Sequence, residues 1–113
     1  PTIFGDGNQL RDFVHVKDVA GAFVDALGHK TEGEVFNIGS GVGLTISEVY
    51  ERIAEVLGFS QPANHADAVP GELRYSVARI SKAGDMIGYR PEHNFADSIV
   101  DTLKHAGGAG YDS

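Results

Sequence analysis

The chain has 113 residues, 42% hydrophobic and 22% charged, with a formal net charge of −7 and no cysteine. That length holds one domain and one modest core. The acidic balance disfavours nonspecific nucleic-acid or anionic-membrane binding, and no apolar run reaches the roughly 18–20 residues of a membrane span. The absence of cysteine excludes disulfides and thiolate metal sites and fits a reducing, cytoplasmic setting. The sequence enters strand-like residues directly at Pro1, without a methionine, and is expected to be a piece of something longer.

The first segment, TIFGDGNQLRDFVHV, predicts a hairpin or strand pair around the turn Gly5-Asp6-Gly7-Asn8. Asp18 stands at an N-cap position for a helix with Val19, Ala20, Phe23, Val24, Ala26 and Leu27 at helical spacing, closed by Gly28. A short β-rich run, Glu34 to Gly39, follows. Thr45-Ile46-Ser47-Glu48 has the form of a capping box and opens a helix that Gly58 ends. Residues 59–74, with Pro62 and Pro70, predict a long loop containing one short strand. Ser81 is placed as the cap of a short helix, Lys82 to Ile87, stopped by Gly88 and Pro91. A last helix is expected from about Phe95 to Leu103, and a disordered tail from 105 to 113. The alternation gives an α/β chain, α+β in isolation, with few short strands and about four helices.

Most catalytic patterns are missing. Gly39-Ser40-Gly41-Val42-Gly43 lies between a strand and a helix, as a phosphate-binding turn would, yet its spacing matches neither G-x-G-x-x-G nor a P-loop. It reads as a flexible connection. His15, His29, His65, His93 and His105 show no metal-ligand spacing. Ser40 lacks the glycine two residues before it that a nucleophile elbow needs. No tyrosine is followed four residues later by lysine. Catalytic and metal-ligating residues are therefore not assigned. Arg11 has two readings that spacing does not separate. It is a surface arginine paired with Asp6 or Asp12, or a guanidinium clamp for a phosphate beside a glycine turn.

Taken together, several segments carry a family pattern. They are Ile3-Phe4-Gly5-Asp6-Gly7, Gln9, Arg11-Asp12-Phe13-Val14-His15-Val16, Asp18-Val19-Ala20 and Val35-Phe36-Asn37-Ile38-Gly39-Ser40-Gly41. Thr45 to Glu48, Pro70-Gly71-Glu72, Ser76-Val77-Ala78, Ser81-Lys82-Ala83 and Ile87 to Pro91 continue it. In this order and spacing they resemble the extended short-chain dehydrogenase/reductases, and within them the NAD-dependent nucleotide-sugar epimerases and dehydratases of the UDP-glucose 4-epimerase type. The resemblance covers residues 1–104 and implies a C-terminal, nucleotide-sugar-binding part. The Rossmann domain with its NAD turn and Tyr-x-x-x-Lys pair is missing from this sequence, so no cofactor site is expected here and NAD belongs to the full-length family.

By the same resemblance, Arg11 binds the phosphates of a UDP- or dTDP-sugar. Thr2 and Phe4 lie along the base, Asn37 lies near the nucleotide, and Glu72 meets the ribose or base region. Two positions depart from the pattern. Val69 stands where a second phosphate-binding arginine is usual, and Arg79 stands where an aspartate is usual; Arg74 or Arg79 is the candidate substitute cation. The rival to a substrate-binding fragment is a stand-alone binding or self-associating module without chemistry. With its partner domain cut away, a homodimer or larger oligomer is expected, with no nucleic-acid or membrane partner.

Overall fold

The structure, a computed structural model, describes residues 1–108. Five short strands and four helices follow one another as β1 (Thr2–Phe4), β2 (Leu10–Asp12), α1 (Val16–Leu27), β3 (Gly43–Thr45), α2 (Ile46–Leu57), β4 (Asn64–Ala66), β5 (Tyr75–Ser76), α3 (Ser81–Ile87) and α4 (Phe95–Gly108). The class is α/β with mixed strand pairing, as the alternation of elements predicts.

The predicted hairpin does not form. β1 pairs in parallel with β4, whereas β2 is the centre of a separate sheet of order β3-β2-β5, antiparallel to β3 and parallel to β5. The intervening turn is held open by α2. The carbonyls of Gly7 and Gln9 accept from the N–H groups of Ser47 and Ile46 at the helix start, so the turn connects two sheets instead of folding one strand on the other. The strands β3 and β5 are not predicted from the sequence, while β4 is the one short strand expected in the 59–74 loop.

Four further expectations change. His15, not Asp18, caps α1, with Nδ1 accepting from the Lys17 N–H at 2.9 Å. Asp18 is buried and accepts instead from the backbone N–H groups of Glu92 and His93 and from His93 Nδ1. Residues 34–39 form no strand; the Val35 carbonyl accepts from Lys82 Nζ and the Gly39 carbonyl from the Tyr89 hydroxyl, so side chains satisfy what a strand neighbour would. Ile80 occupies the N-cap of α3, and Ser81 is inside the helix without a capping bond. The last helix continues past Leu103 to Gly108, and residues 109–113 of the expected tail lie outside the described residues.

The two local signals that bound α2 hold. Thr45 Oγ1 accepts from the Glu48 N–H at 3.1 Å, and Gly58 ends α2 in the left-handed conformation at φ +67°. The core is small: Ala22 of α1 meets Ala83 and Ile87 of α3 and Tyr89, with Phe36 and Ile38 packed against them. The molecule is flat, 49 × 36 × 18 Å, with a radius of gyration of 16.7 Å, against about 13 Å for a compact domain of this size.

Candidate functional site

Arg11 is the middle residue of the central strand β2, with Leu44 of β3 on one side and Ser76 of β5 on the other. This fixes its backbone on three strands, and the side chain reaches the sheet edge. A groove of about 600 Å³ opens there, lined by Arg11, Asn37, Gly39, Ser76 and Arg79 among others. Two arginines and an asparagine line this groove, and the one carboxylate there, Asp12, is engaged by backbone N–H groups, a set that favours an anionic ligand with several oxygens. Among the described residues, Arg79 has no carboxylate within ion-pair distance.

Neither partner expected for Arg11 is the actual one. Asp6 pairs with Arg74 through two bonds of 3.0 and 3.1 Å, which holds the Asp6 carboxyl below its usual range and raises Arg74. Arg74 is thereby committed and is not the substitute phosphate cation. Asp12, next in sequence to Arg11, turns away from it. Its oxygens accept from Ser40 N–H (2.8 Å), Ser40 Oγ (2.7 Å), Gly41 N–H (2.9 Å) and Ala78 N–H (3.2 Å). Burial pushes the Asp12 carboxyl up, but these four bonds outweigh it and hold the group below the ordinary value. Arg11 pairs with Glu72 instead: Nη2 donates to Glu72 Oε1 at 3.1 Å and to the Leu73 carbonyl at 2.6 Å, while Nη1 donates to the Leu10 carbonyl.

The five residues that the resemblance points to fall into two neighbouring places and one outlier. Arg11 and Asn37 line the groove. Phe4 and Glu72 line an adjacent hollow of about 50 Å³ with Gln9 and Val69, and the Arg11–Glu72 ion pair joins the two. Thr2 is exposed on β1, opposite Asn64, and lines neither. Gln9 belongs to the family pattern but is given no role by the sequence; it is buried at the junction, and its Nε2 donates to the Phe4 carbonyl (3.2 Å) and to Glu72 Oε1 (3.3 Å). The pairing of Arg11 with Glu72 spans 61 positions, and no local spacing announces it.

The glycine turn of residues 39–43 does not fit a dinucleotide. The N–H groups of Ser40 and Gly41, which a pyrophosphate would need, donate to Asp12. A Cβ on Gly39 would meet Ala78 Cβ at 2.6 Å and Asp12 Oδ2 at 2.8 Å, so the glycine allows the chain to pack against β2 and β5. A larger depression lies elsewhere. It measures about 760 Å³ and is bounded by His15, Lys17, Asp101 and His105, whereas the Arg11 groove combines two arginines with residues of the family pattern. His15 and His93 stack at 4.4 Å, yet among the described residues no three His, Asp or Glu side chains gather in a metal-ligating arrangement. No helix of the described residues is long and apolar enough to cross a membrane.

Comparison with known proteins places this geometry. The family model for the NAD dependent epimerase/dehydratase family matches residues 1–39. A UDP-glucose 4-epimerase of Mycolicibacterium smegmatis is 37% identical over 103 residues, covering 90% of this chain and 33% of that protein. A UDP-glucose 4-epimerase of Thermotoga maritima, solved with UDP-glucose, superposes with a TM-score of 0.89 at 30% identity, over 96% of this chain and 35% of that one. A UDP-glucuronic acid 4-epimerase of Bacillus cereus, solved with UDP-glucuronic acid and NAD, superposes with a TM-score of 0.81 at 36% identity, over 92% of this chain and 35% of that one. The chain thus spans about a third of the length of the relatives it matches. Residues 1–39 thus match the NAD dependent epimerase/dehydratase family, and the chain as a whole is similar to UDP-glucose 4-epimerases over about a third of their length.

Proposed function

We propose that residues 1–104 are the nucleotide-sugar-binding part of an NAD-dependent epimerase of the UDP-glucose 4-epimerase type, holding the nucleoside diphosphate of a UDP- or dTDP-sugar. The observation that carries this reading is the convergence of Arg11, Asn37 and Arg79 on one groove of an acidic chain. Arg11 clamps the diphosphate, and Arg79 takes the role of the second cation in place of Val69. Asn37 donates to the nucleotide, Phe4 and Thr2 lie along the base, and Glu72 meets the ribose. Relatives solved with UDP-sugars support the ligand class.

In this reading the chain's own residues bind and orient. NAD, when held by the rest of such an enzyme, supplies hydride transfer at the sugar, and the glycine turn of residues 39–43 offers it no cradle. A second reading, a self-associating module without chemistry, is favoured by one observation. The outward face of α1 exposes Val16, Phe23, Val24 and Leu27.

The test is a calorimetric or NMR titration of the chain with UDP and with uridine. One charge-assisted contact is worth about 1.5–3 kcal/mol, so UDP is expected to bind at about high-micromolar to millimolar Kd, where 1 mM corresponds to about −4.1 kcal/mol. Binding should weaken with salt because the charges are partly exposed. Arg11→Ala is expected to abolish the preference for UDP over uridine, and Val69→Arg to strengthen UDP binding. Equal affinity for UDP and uridine in the unaltered chain would overturn the assignment.

A further inference from the structure

We propose that Glu72 is an autoinhibitory carboxylate on Arg11, carried on a strap that must open before a diphosphate is clamped. This inference rests on Arg11 being the phosphate clamp. The strap is the segment 67–73. Its two ends are fixed by backbone bonds of 2.8 Å, from Gly5 N–H to the Ala66 carbonyl and from Leu10 N–H to the Arg74 carbonyl. Between them the chain turns at Gly71, which has φ +80° and nothing within 4 Å of where a Cβ would stand. Gly71 makes this left-handed turn at the surface without packing against a neighbour.

The side-chain bonds across the strap converge. Arg11 Nη2 and Gln9 Nε2 both donate to the same oxygen, Glu72 Oε1, and Arg11 Nη2 also donates to the Leu73 carbonyl. One arm of the guanidinium is therefore spent on the strap. A diphosphate arriving at Arg11 would place a second anion beside the Glu72 carboxylate on the same cation, and like charges at that distance repel. Either the phosphate is refused or Glu72 leaves. Glu72 and Arg11 are only 31% and 24% exposed at their side chains, so solvent screens that repulsion incompletely.

Two further features mark the closed strap. Gln9 Oε1 is buried without a hydrogen-bond partner among the described residues. The amide cannot be turned to relieve this, because its other end faces two acceptors, the Phe4 carbonyl and Glu72. Gln9 Oε1 is thus an unpaired buried acceptor at the foot of the strap. The hollow beneath the strap measures about 50 Å³, room for a water-sized group but not for a base, so the closed strap admits no base between itself and Phe4.

The experiment uses inorganic pyrophosphate as the probe, since it has no ribose or base for Glu72 to contact. The full chain, Glu72→Gln, Arg11→Ala and the double variant are titrated at low salt, with amide NMR following Gly71, Glu72 and Leu73. Gln keeps the size and hydrogen bonding of the side chain and removes its charge. Glu72→Gln is expected to bind pyrophosphate about three- to tenfold more tightly, in line with release of a partly exposed ion pair. The same substitution in the Arg11→Ala background should change affinity less than about twofold, and pyrophosphate should shift the three strap amides in the unaltered chain. Equal or weaker binding by Glu72→Gln, while Arg11→Ala abolishes binding, would overturn the inference and leave the clamp standing. Unchanged binding by Arg11→Ala would overturn the clamp itself.

Discussion

Asp12 and Asp18 illustrate how single carboxylates hold this small fold together. Asp12 ties the 40–41 turn and Ala78 to β2, and Asp18 ties the 92–93 segment to α1. For Asp18, burial pushes the carboxyl up, but the bonds from His93 and Glu92 outweigh it, so both aspartates are lowered from the ordinary 3.8. A lowered folded value means that the unfolded chain binds protons first as pH falls. Their contribution is therefore complete above about pH 4 and is lost as pH falls through the lowered values. Thermal melts followed by circular dichroism from pH 7 to pH 2.5 should show stability falling only below about pH 4. Asp12→Asn is expected to cost about 2 kcal/mol at neutral pH, by loss of charge-assisted bonds, and to flatten the slope below pH 4. An unchanged melt for this variant would remove Asp12 as a structural anchor. None of these pairings is legible in the sequence. The Asp12–Ala78 and Asp18–His93 contacts bridge 66 and 75 positions, and Arg11 has two nearer aspartates that are both committed elsewhere.

At the level of elements, legibility follows range. The α2 start is readable because Thr45 and Glu48 lie on one turn, and its end because Gly58 supplies the left-handed residue that closes a helix. Thr45→Ala is expected to destabilise the chain by about 1 kcal/mol, measurable as a lower urea midpoint at unchanged slope, whereas Ser81→Ala at the start of α3 should be nearly neutral because Ser81 makes no capping bond. Comparable losses from both would contradict the observed capping. The strands are harder to read. β3, with three residues, and β5, with two, are too short for an alternating pattern, and the partner of β1 lies about sixty positions away in a proline-bearing loop. The hairpin expectation fails for this reason: a glycine turn between two strands signals a reversal, but only the α2 N-terminus decides what the turn bonds to. The groove shares this limit. Arg11 and Asn37, which the resemblance names, line one groove, while the bonding of Gln9 and the Arg11–Glu72 pair emerge only when distant segments meet.

The flatness of the whole molecule leaves apolar surface in the open. On α1 the buried residues Asp18 and Ala22 define the inward side, and Val16, Ala20, Phe23, Val24 and Leu27 repeat at i, i+4, i+7, i+8 and i+11 on the outward side. Phe23 is 70% exposed, Leu27 87%, Val16 75% and Val24 68%. Burying such side chains is worth about 1.5–3 kcal/mol each, and a contiguous stripe of this kind, on the order of 500 Å², lies at the upper end of what monomers leave uncovered. Two copies meeting on α1 would bury about 1,000 Å² together, near the lower limit of a specific interface. Against this stands the −7 charge of each copy, which salt screens. The chain is therefore expected to self-associate at about 100 µM, more strongly at 0.3 M than at about 0.03 M salt, since the Debye length shrinks from about 17 to 6 Å over that range. That direction is opposite to the salt dependence of UDP binding. Phe23→Asp combined with Leu27→Asp places charge at the centre of the stripe and on its last turn, and should give a monomer by light scattering without loss of helix content, because neither side chain belongs to the core. A monomer already in the unaltered chain at both salt concentrations would show that the α1 face does not pair with itself.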